Sequence, residues 1–317
     1  MLVDGGLLPL SPPEVVVLRY LGLGDLLTAV PALRGIRAGF PDHRIVLVTP
    51  SWLAPLAMYP ATVDAVAPPP DKPDVAVNLH GRGPQSHERL LRLRPRRLIA
   101  FARPGVPGPR WQADEHEVHR WCRLLAESGV AADPRRIDLP SPPVARDPDR
   151  TLVHPGAASG ARRWPAERFA AVARAEAAKG RTVVVTGSAG EVDLARSVAS
   201  AAGLPMSCVQ AGRTDVMGLL AMVGGAGRIV CGDTGVAHVA TAVRTPSVVL
   251  FGPTSPAHWG PPPDRPWHRA LWAGRTGDPH GRDPDPGLLA ITVGDVLDAL
   301  SALDDREPVP DPVIERR

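Results

Sequence analysis

Short, nearly continuous apolar runs alternate with stretches of helical spacing along most of the chain. "EVVVLRY" (14–20), "HRIVLVTP" (43–50), "DVAVNLH" (74–80) and "RRLIAF" (96–101) are dense in Val, Leu and Ile, as expected of strands covered on both faces in a parallel sheet. "LLTAVPALRGIRAGF", between the first two, spaces its apolar residues for one helix, with Pro31 close to its first turns. A second series follows: "RTLVHPG" (150–156), "RTVVVTGS" (181–188), "RIVCGD" (228–233) and "PSVVLFGP" (246–253), with "AERFAAVARAEAAKG" and "EVDLARSVASAAG" as intervening helices. Strands alternating with helices predict an α/β protein in two halves. "LPSPPVARDPDR" (139–150) is rich in Pro and charge and reads as the connection. The expected organisation is a first domain over 1–140, a linker over 141–150 and a second domain over 151–317.

Composition agrees with this and removes some functions. A length of 317 residues suits two domains of roughly 150 residues each. A formal net charge of +3 is too small for a chain that coats nucleic acid. All but Lys72 and Lys179 of the 36 basic residues are arginine, so a single arginine carries little weight by itself. Cys122, Cys208 and Cys231 are odd in number and widely spaced, which suggests neither a zinc site nor a disulfide framework, and fits a reducing cytoplasm. Nowhere do about 18 apolar residues run together, so membrane contact is expected to be peripheral at most. "RLLRLRPRRL" (89–98) is strongly basic, but Pro95 interrupts it and a solvated helix end is expected there.

The chemistry centres on "CGDTGVAHVATAV" (231–243). Asp-Thr-Gly also carries the carboxylate of aspartic proteases, which need two such carboxylates in β-rich lobes. This chain has one, placed between a strand and a helical pattern. Backbone N–H groups of Thr234, Gly235 and Val236 would then open a helix, the geometry that holds a phosphate. An ordinary cap by Asp233 or Thr234 is the alternative. "HPGAASGARRWPAERF" (154–169) repeats the arrangement: a strand end, a turn of small residues that includes Ser159, Arg162 or Arg163 beside it, Trp164 as a core anchor, and Pro165 in the first turn of a helix. Two such turns suggest a diphosphate held at the carboxyl ends of the strands. Glu191 in "TGSAGE" is placed either to accept ribose hydroxyls or to serve only as a first-turn carboxylate. "DPD" at 147–149 and 283–285 lies in Pro-rich sequence and reads as turns rather than a metal site. "GLGDLL" lacks the third glycine of a dinucleotide fingerprint.

"LGLGDLLTAVPALRGIR", "HPGAASGARRWPAERF", "CGDTGVAHVATAV" and "FGPTSPAHWGP", in this order over about Val15 to Pro261, together resemble the family 9 glycosyltransferases, ADP-heptose:lipopolysaccharide heptosyltransferases among them. The resemblance implies the GT-B fold, two Rossmann-like domains facing a central cleft, with the acceptor in the N-terminal domain and the nucleotide sugar in the C-terminal one. It places the catalytic base at Asp25 and the donor at Ser159, Arg162, Glu191, Asp233, Thr234, Gly235 and His238. Arg162 stands where the family usually has lysine, which departs from its pattern. Gly24, His80, Arg82 and Gln85 are the expected acceptor residues, the last three from "NLHGRGPQSHERL" (78–90).

An inverting transferase is therefore expected, moving a sugar, with heptose from ADP-heptose as first choice, to a hydroxyl acceptor. That acceptor is a lipid-linked glycan or a small soluble metabolite. No cofactor, metal or nucleic-acid partner is implied. The alternatives are a nucleotide-sugar epimerase or hydrolase of the same fold, and a non-catalytic nucleotide-sugar-binding protein.

Overall fold

The computed structural model describes residues 12–304, which form two compact units. One unit takes the chain up to Leu21, Pro31–Gln112 and Arg120–Pro134, and the other takes Gly22–Val30, Ala113–His119 and the chain from Arg135 on. Besides the stretch from Arg135 on, two segments well inside the first 140 residues group with the second unit, where a single division at 141–150 was expected. Contacts described below for Gly24 and His116 account for both.

In the first unit, β1 (Glu14–Leu18), β2 (Arg44–Val48), β3 (Ala65–Val66), β4 (Val75–Asn78) and β5 (Arg97–Ile99) form a sheet in the order β3-β2-β1-β4-β5. Every pairing is parallel, and Val16 at the centre aligns with Val46 on one side and Ala76 on the other. Both faces are covered, which is why these strands read as unbroken apolar runs. The two-residue β3 is too short to leave such a signal. The single helix expected after β1 is two, Leu23–Thr28 and Val30–Gly39, with Ala29 between them. Pro31 has no N–H to offer the carbonyl four residues earlier, and the Ala29 N–H closes on Leu26 instead at 3.1 Å. Around the basic stretch, Arg92, Arg94 and Arg96 are exposed and pair with Glu88, Asp71 and Asp74, as expected of a solvated surface.

The second unit repeats the plan with β6 (Asp147–His154), β7 (Thr182–Val185), β8 (Ala226–Gly232), β9 (Ser247–Phe251) and β10 (His268–Trp272), all parallel in the order β10-β9-β8-β6-β7. Asp147–Asp149, expected in a linker turn, instead open β6, with a shift of register before Thr151. Asp285 does lie in a loop, where its carboxylate accepts the Gly287 N–H at 2.8 Å and caps Pro286–Ala290. Pro165 occupies the N-cap of the helix Ala166–Ala178, one position outside the expected first turn. Trp164 is the expected anchor: it is buried, meets the Phe169 ring edge-on, and donates its indole N–H to the Ile291 carbonyl at 3.0 Å. β10 leaves no clear apolar period in the sequence; the helix Val293–Asp304 does, with Val293, Val296, Leu297, Leu300 and Leu303 at helical spacing, and it docks against the sheet through Val296 and Leu300.

That last helix is also tied by charge. Glu176 is fully buried and accepts the Thr151 hydroxyl at 2.8 Å, with Arg181 Nε at 3.5 Å and Arg228 Nη1 at 3.8 Å. Arg228, itself buried, donates to the Leu300 carbonyl at 3.1 Å and pairs with Asp304. Removing one member of a buried ion network leaves its partners uncompensated, at a cost of about 3 to 5 kcal/mol. Arg228→Ala should therefore lose stability on that scale in chemical denaturation, and a loss below about 1 kcal/mol, the ceiling for a surface pair, would contradict this account of the network.

Candidate active site

β8 ends in Cys231 and Gly232, and the chain then turns through Asp233 and Thr234 into the helix Gly235–Ala242. The Asp233 N–H extends the ladder to β9 by bonding Leu250 O at 3.0 Å. Thr234 holds the N-cap position with extended backbone, yet its hydroxyl makes no cap bond and has no hydrogen-bond partner. The side-chain cap weighed as an alternative is therefore not formed by Thr234, and the first-turn N–H groups face an end of the helix that favours an anion. Asp233 is 7% exposed. Burial pushes its carboxyl up from the ordinary 3.8 to about 6, against the Arg162 charge and a hydrogen bond with Thr254.

The turn after β6 comes to the same place. Arg162 donates through Nη1 to the Asp233 carbonyl at 3.2 Å and through Nε to Ser159 Oγ at 3.3 Å. Ser159 in turn donates to Pro279 O at 2.6 Å, and Ala161 bonds Gly281 and Asp285 through its backbone. Gly160 is required here, because a Cβ would collide with the Arg282 carbonyl. Arg163 instead donates through Nε to Ala157 O, within its own turn, at 2.9 Å, and its charge acts on Glu191. Of the two arginines open at the level of sequence, Arg162 is the one at the Asp-Thr-Gly turn.

Glu191 sits at the end of the adjoining strand pair. Its Oε2 accepts both the N–H and the hydroxyl of Ser188 at 2.8 Å, a capping box, so the local role weighed for it is present. The same carboxylate lies against Gly156, where any Cβ would strike it. Burial opposes its charge, but the two bonds from Ser188 hold the carboxyl below its ordinary range. Next to it His154 is bonded to Thr186 at 3.0 Å, and burial holds its imidazole below the ordinary range.

Asp25 belongs to this unit as well. Gly24 faces His238 so closely that a Cβ on it would lie 2.6 Å from the ring, and a Cβ on Gly235 would lie 2.9 Å from Leu23. The helix Leu23–Thr28 thereby rests on the first turn of Gly235–Ala242. Gly24, expected to touch an acceptor, thus has a packing role. Asp25 is partly exposed, and its Oδ2 accepts the Gly22 N–H at 3.1 Å. In the first unit, His80, Arg82 and Gln85 follow β4, with Arg82 and Gln85 exposed. Buried Asn78 fixes that loop, accepting the His80 N–H at 2.9 Å and donating to Ser86 and Gly81. Asn78, His154, Thr254 and Trp259, whose ring lies 5.9 Å from that of His238, were not singled out from sequence. His154, Thr254 and Trp259 stand inside recognised motifs, whereas Asn78 is a single polar residue at a strand end, with no pattern to mark it. Among the described residues, no three His, Cys, Asp or Glu side chains group as a metal site requires, and no helix is long and apolar enough to cross a membrane.

Residues 109–276 match the model of glycosyltransferase family 9 (heptosyltransferase), and the chain belongs to that family. Lipooligosaccharide heptosyltransferase 2 of Haemophilus influenzae is 32% identical over 160 residues, 47% of this chain and 45% of that protein. The chain thus aligns with less than half the length of that relative. The structure of the E. coli ADP-heptose LPS heptosyltransferase II superposes with a TM-score of 0.73 at 22% identity, over 92% of this chain and 98% of that one. E. coli heptosyltransferase WaaC with ADP gives 0.69 at 16%, over 91% and 99%. Likeness at this level establishes the fold, the GT-B class with two parallel α/β units.

The buried carboxyl of Asp233 has a consequence for stability. Its folded pKa of about 6 lies above the ordinary 3.8, so the folded state binds the proton more tightly and loses stability as pH rises between those values. Asp233→Asn keeps an acceptor for Thr254 and removes the titration. The variant should gain in melting temperature over the parent as pH rises from about 4 to about 6 and hold that gain above it; a difference independent of pH would contradict the burial of a charged Asp233.

Proposed function

We propose that this protein is an inverting glycosyltransferase that passes a sugar, with heptose from ADP-heptose as first choice, to a hydroxyl acceptor. The observation that carries the reading is the convergence of Arg162, its partner Ser159 and the start of the helix Gly235–Ala242 on one turn at Asp233. Fixed positive charge and helix-terminal N–H groups at one point suit a diphosphate whose charge grows as it leaves. Family membership supports the reaction class, and the two E. coli neighbours, one an ADP-heptose LPS heptosyltransferase and the other solved with ADP, support the choice of donor.

On this reading the second unit binds the nucleotide sugar and the first, through His80, Arg82 and Gln85, the acceptor. The acceptor oxygen attacks the anomeric carbon as the bond from that carbon to the diphosphate oxygen breaks, and the hydroxyl proton passes to the Asp25 carboxylate. The nucleoside diphosphate departs with the bonding electrons, its added charge met by Arg162 and the helix dipole. That arrangement supplies positive charge without a divalent cation. Arginine in place of the family's usual lysine offers a planar, two-pronged contact rather than a point charge. Glu191 is assigned to the ribose, since Oε1 is not used by Ser188. The protein is read as cytoplasmic, with at most peripheral contact with a membrane.

The test is to incubate the protein with ADP-heptose and other nucleotide sugars, with and without glycan and small-molecule acceptors, and to follow free nucleoside diphosphate by mass spectrometry. Release that depends on acceptor is expected. Release without any acceptor would indicate an epimerase-like or hydrolytic enzyme instead, and binding without release a non-catalytic protein. Arg162→Ala should weaken nucleoside diphosphate binding by about 1.5 to 3 kcal/mol, the range for a hydrogen bond to a charged group. Unchanged affinity by calorimetry in the folded variant would remove Arg162 from the donor site.

A further inference from the structure

We infer that His116 is a positioning residue for His238, acting through the short turn Pro256–Trp259. The inference rests on the reading of His238 as part of the donor site, and extends that site to a segment distant in sequence. His116 lies in Ala113–His119, which packs within the second unit although the residues on both sides of it belong to the first.

The hydrogen bonds of His116 fix its tautomer. Its Nδ1 accepts the Val118 N–H at 3.2 Å, and its Nε2 is 3.0 Å from the Gly260 carbonyl. A carbonyl only accepts, so Nε2 carries the proton and donates it, and the ring is neutral with both nitrogens engaged. Gly260 ends the Pro256–Trp259 turn, closing it with an N–H bond to Pro256 O at 2.6 Å. Trp259, the residue before, sets its ring 5.9 Å from that of His238 at an interplanar angle of 66°. Gly24 lies against His238 as well. The imidazole of His238 is therefore held by Gly24 and by Trp259, and the placement of Trp259 depends on what holds its turn.

A helical turn of four residues has almost no stability of its own. Inside the turn there is a Ser255 cap, accepting from the Ala257 N–H at 3.2 Å. Besides that, two histidine contacts tie it to the 114–116 segment: His116 to Gly260, and His258 Nε2 to Asp114 Oδ1 at 2.6 Å. Asp114 is 95% exposed, so water competes for the second of these. His116 is half-buried and its bond is the more protected. Thr254, which bonds the Asp233 carboxylate, enters the same turn two residues before Pro256, so a shift of the turn would reach the site at two points.

Two substitutions separate this role from a purely structural one. His116→Asn keeps an acceptor at the distance of Nδ1 for Val118 and cannot reach Gly260. His116→Gln carries an amide N–H to the distance of Nε2 and should restore the bond. With histidine ring nitrogens labelled for NMR, the His238 signals should move in His116→Asn and return toward the parent position in His116→Gln. ADP binding by calorimetry should weaken about tenfold in the first variant and recover in the second, a modest share of what a misplacement of about 1 Å can cost. His238 signals unchanged in a folded His116→Asn protein would overturn the inference, whatever the activity. Signals that move in a protein that does not bind ADP at all would uphold the coupling and instead overturn the donor reading of the site.

Discussion

Gly24 and Gly235 face each other where the helix Leu23–Thr28 crosses the start of Gly235–Ala242, and no other residue type fits the approach without displacing its neighbours. A methyl group on either would press on the His238 ring or on Leu23. This contact attaches a nine-residue piece of the N-terminal sequence, Gly22–Val30, to the second unit. Asp25 therefore shares one packed body with Arg162, Asp233 and His238. On the proposed reading, the base and the leaving-group site are registered by a packed helix crossing, the kind of rigid support that catalytic geometry needs.

The electrostatics of that body follow from burial. Asp233 is held nearly out of water beside a guanidinium that bonds its backbone rather than pairing fully with its carboxylate. Its charged form is thus disfavoured in the protein alone, and a site that stores such a cost is a common companion of function. Glu191 is the opposite case, a carboxylate kept charged by Ser188 at the mouth of the same sheet. Arg228 and Glu176 form a separate network against the helix Val293–Asp304 and serve the frame of the unit.

Much of this was legible in the residue pattern. Eight of the strands appear as apolar runs because both faces of each sheet are covered, and the turns at 156–162 and 233–235 announce themselves by small residues placed between a strand and a helix. Three kinds of feature were not legible. β3 is too short to show a period, and β10, "HRALW", mixes polar residues into its run. The break at Ala29 depends on a hydrogen bond that Pro31 cannot make, and the start of β6 at Asp147 overrides a composition that favours turns. Most of all, no local pattern records that Gly22–Val30 and Ala113–His119 leave the unit of their sequence neighbours. Those placements come from Gly24 meeting His238 and His116 meeting Gly260, contacts more than 140 residues apart in the chain.

The reading of Asp25 as base can fail in a definite way, because its carboxylate also accepts the Gly22 N–H and so has a local duty that would by itself explain an acid at that position. Asp25 lies at the third position of the helix and accepts the N–H of the Gly22 N-cap; an Asn Oδ1 can accept the same N–H, so Asp25→Asn preserves that duty and removes the basic carboxylate. Turnover of the preferred nucleotide sugar and the affinity for it, measured together on this variant, test the account most directly. The account predicts a fall in kcat of at least ~10²-fold with donor affinity changed by less than about threefold, the pattern of a group acting in the transition state. Turnover close to that of the parent protein would contradict it and leave Asp25 as the acceptor of the Gly22 N–H at the helix start.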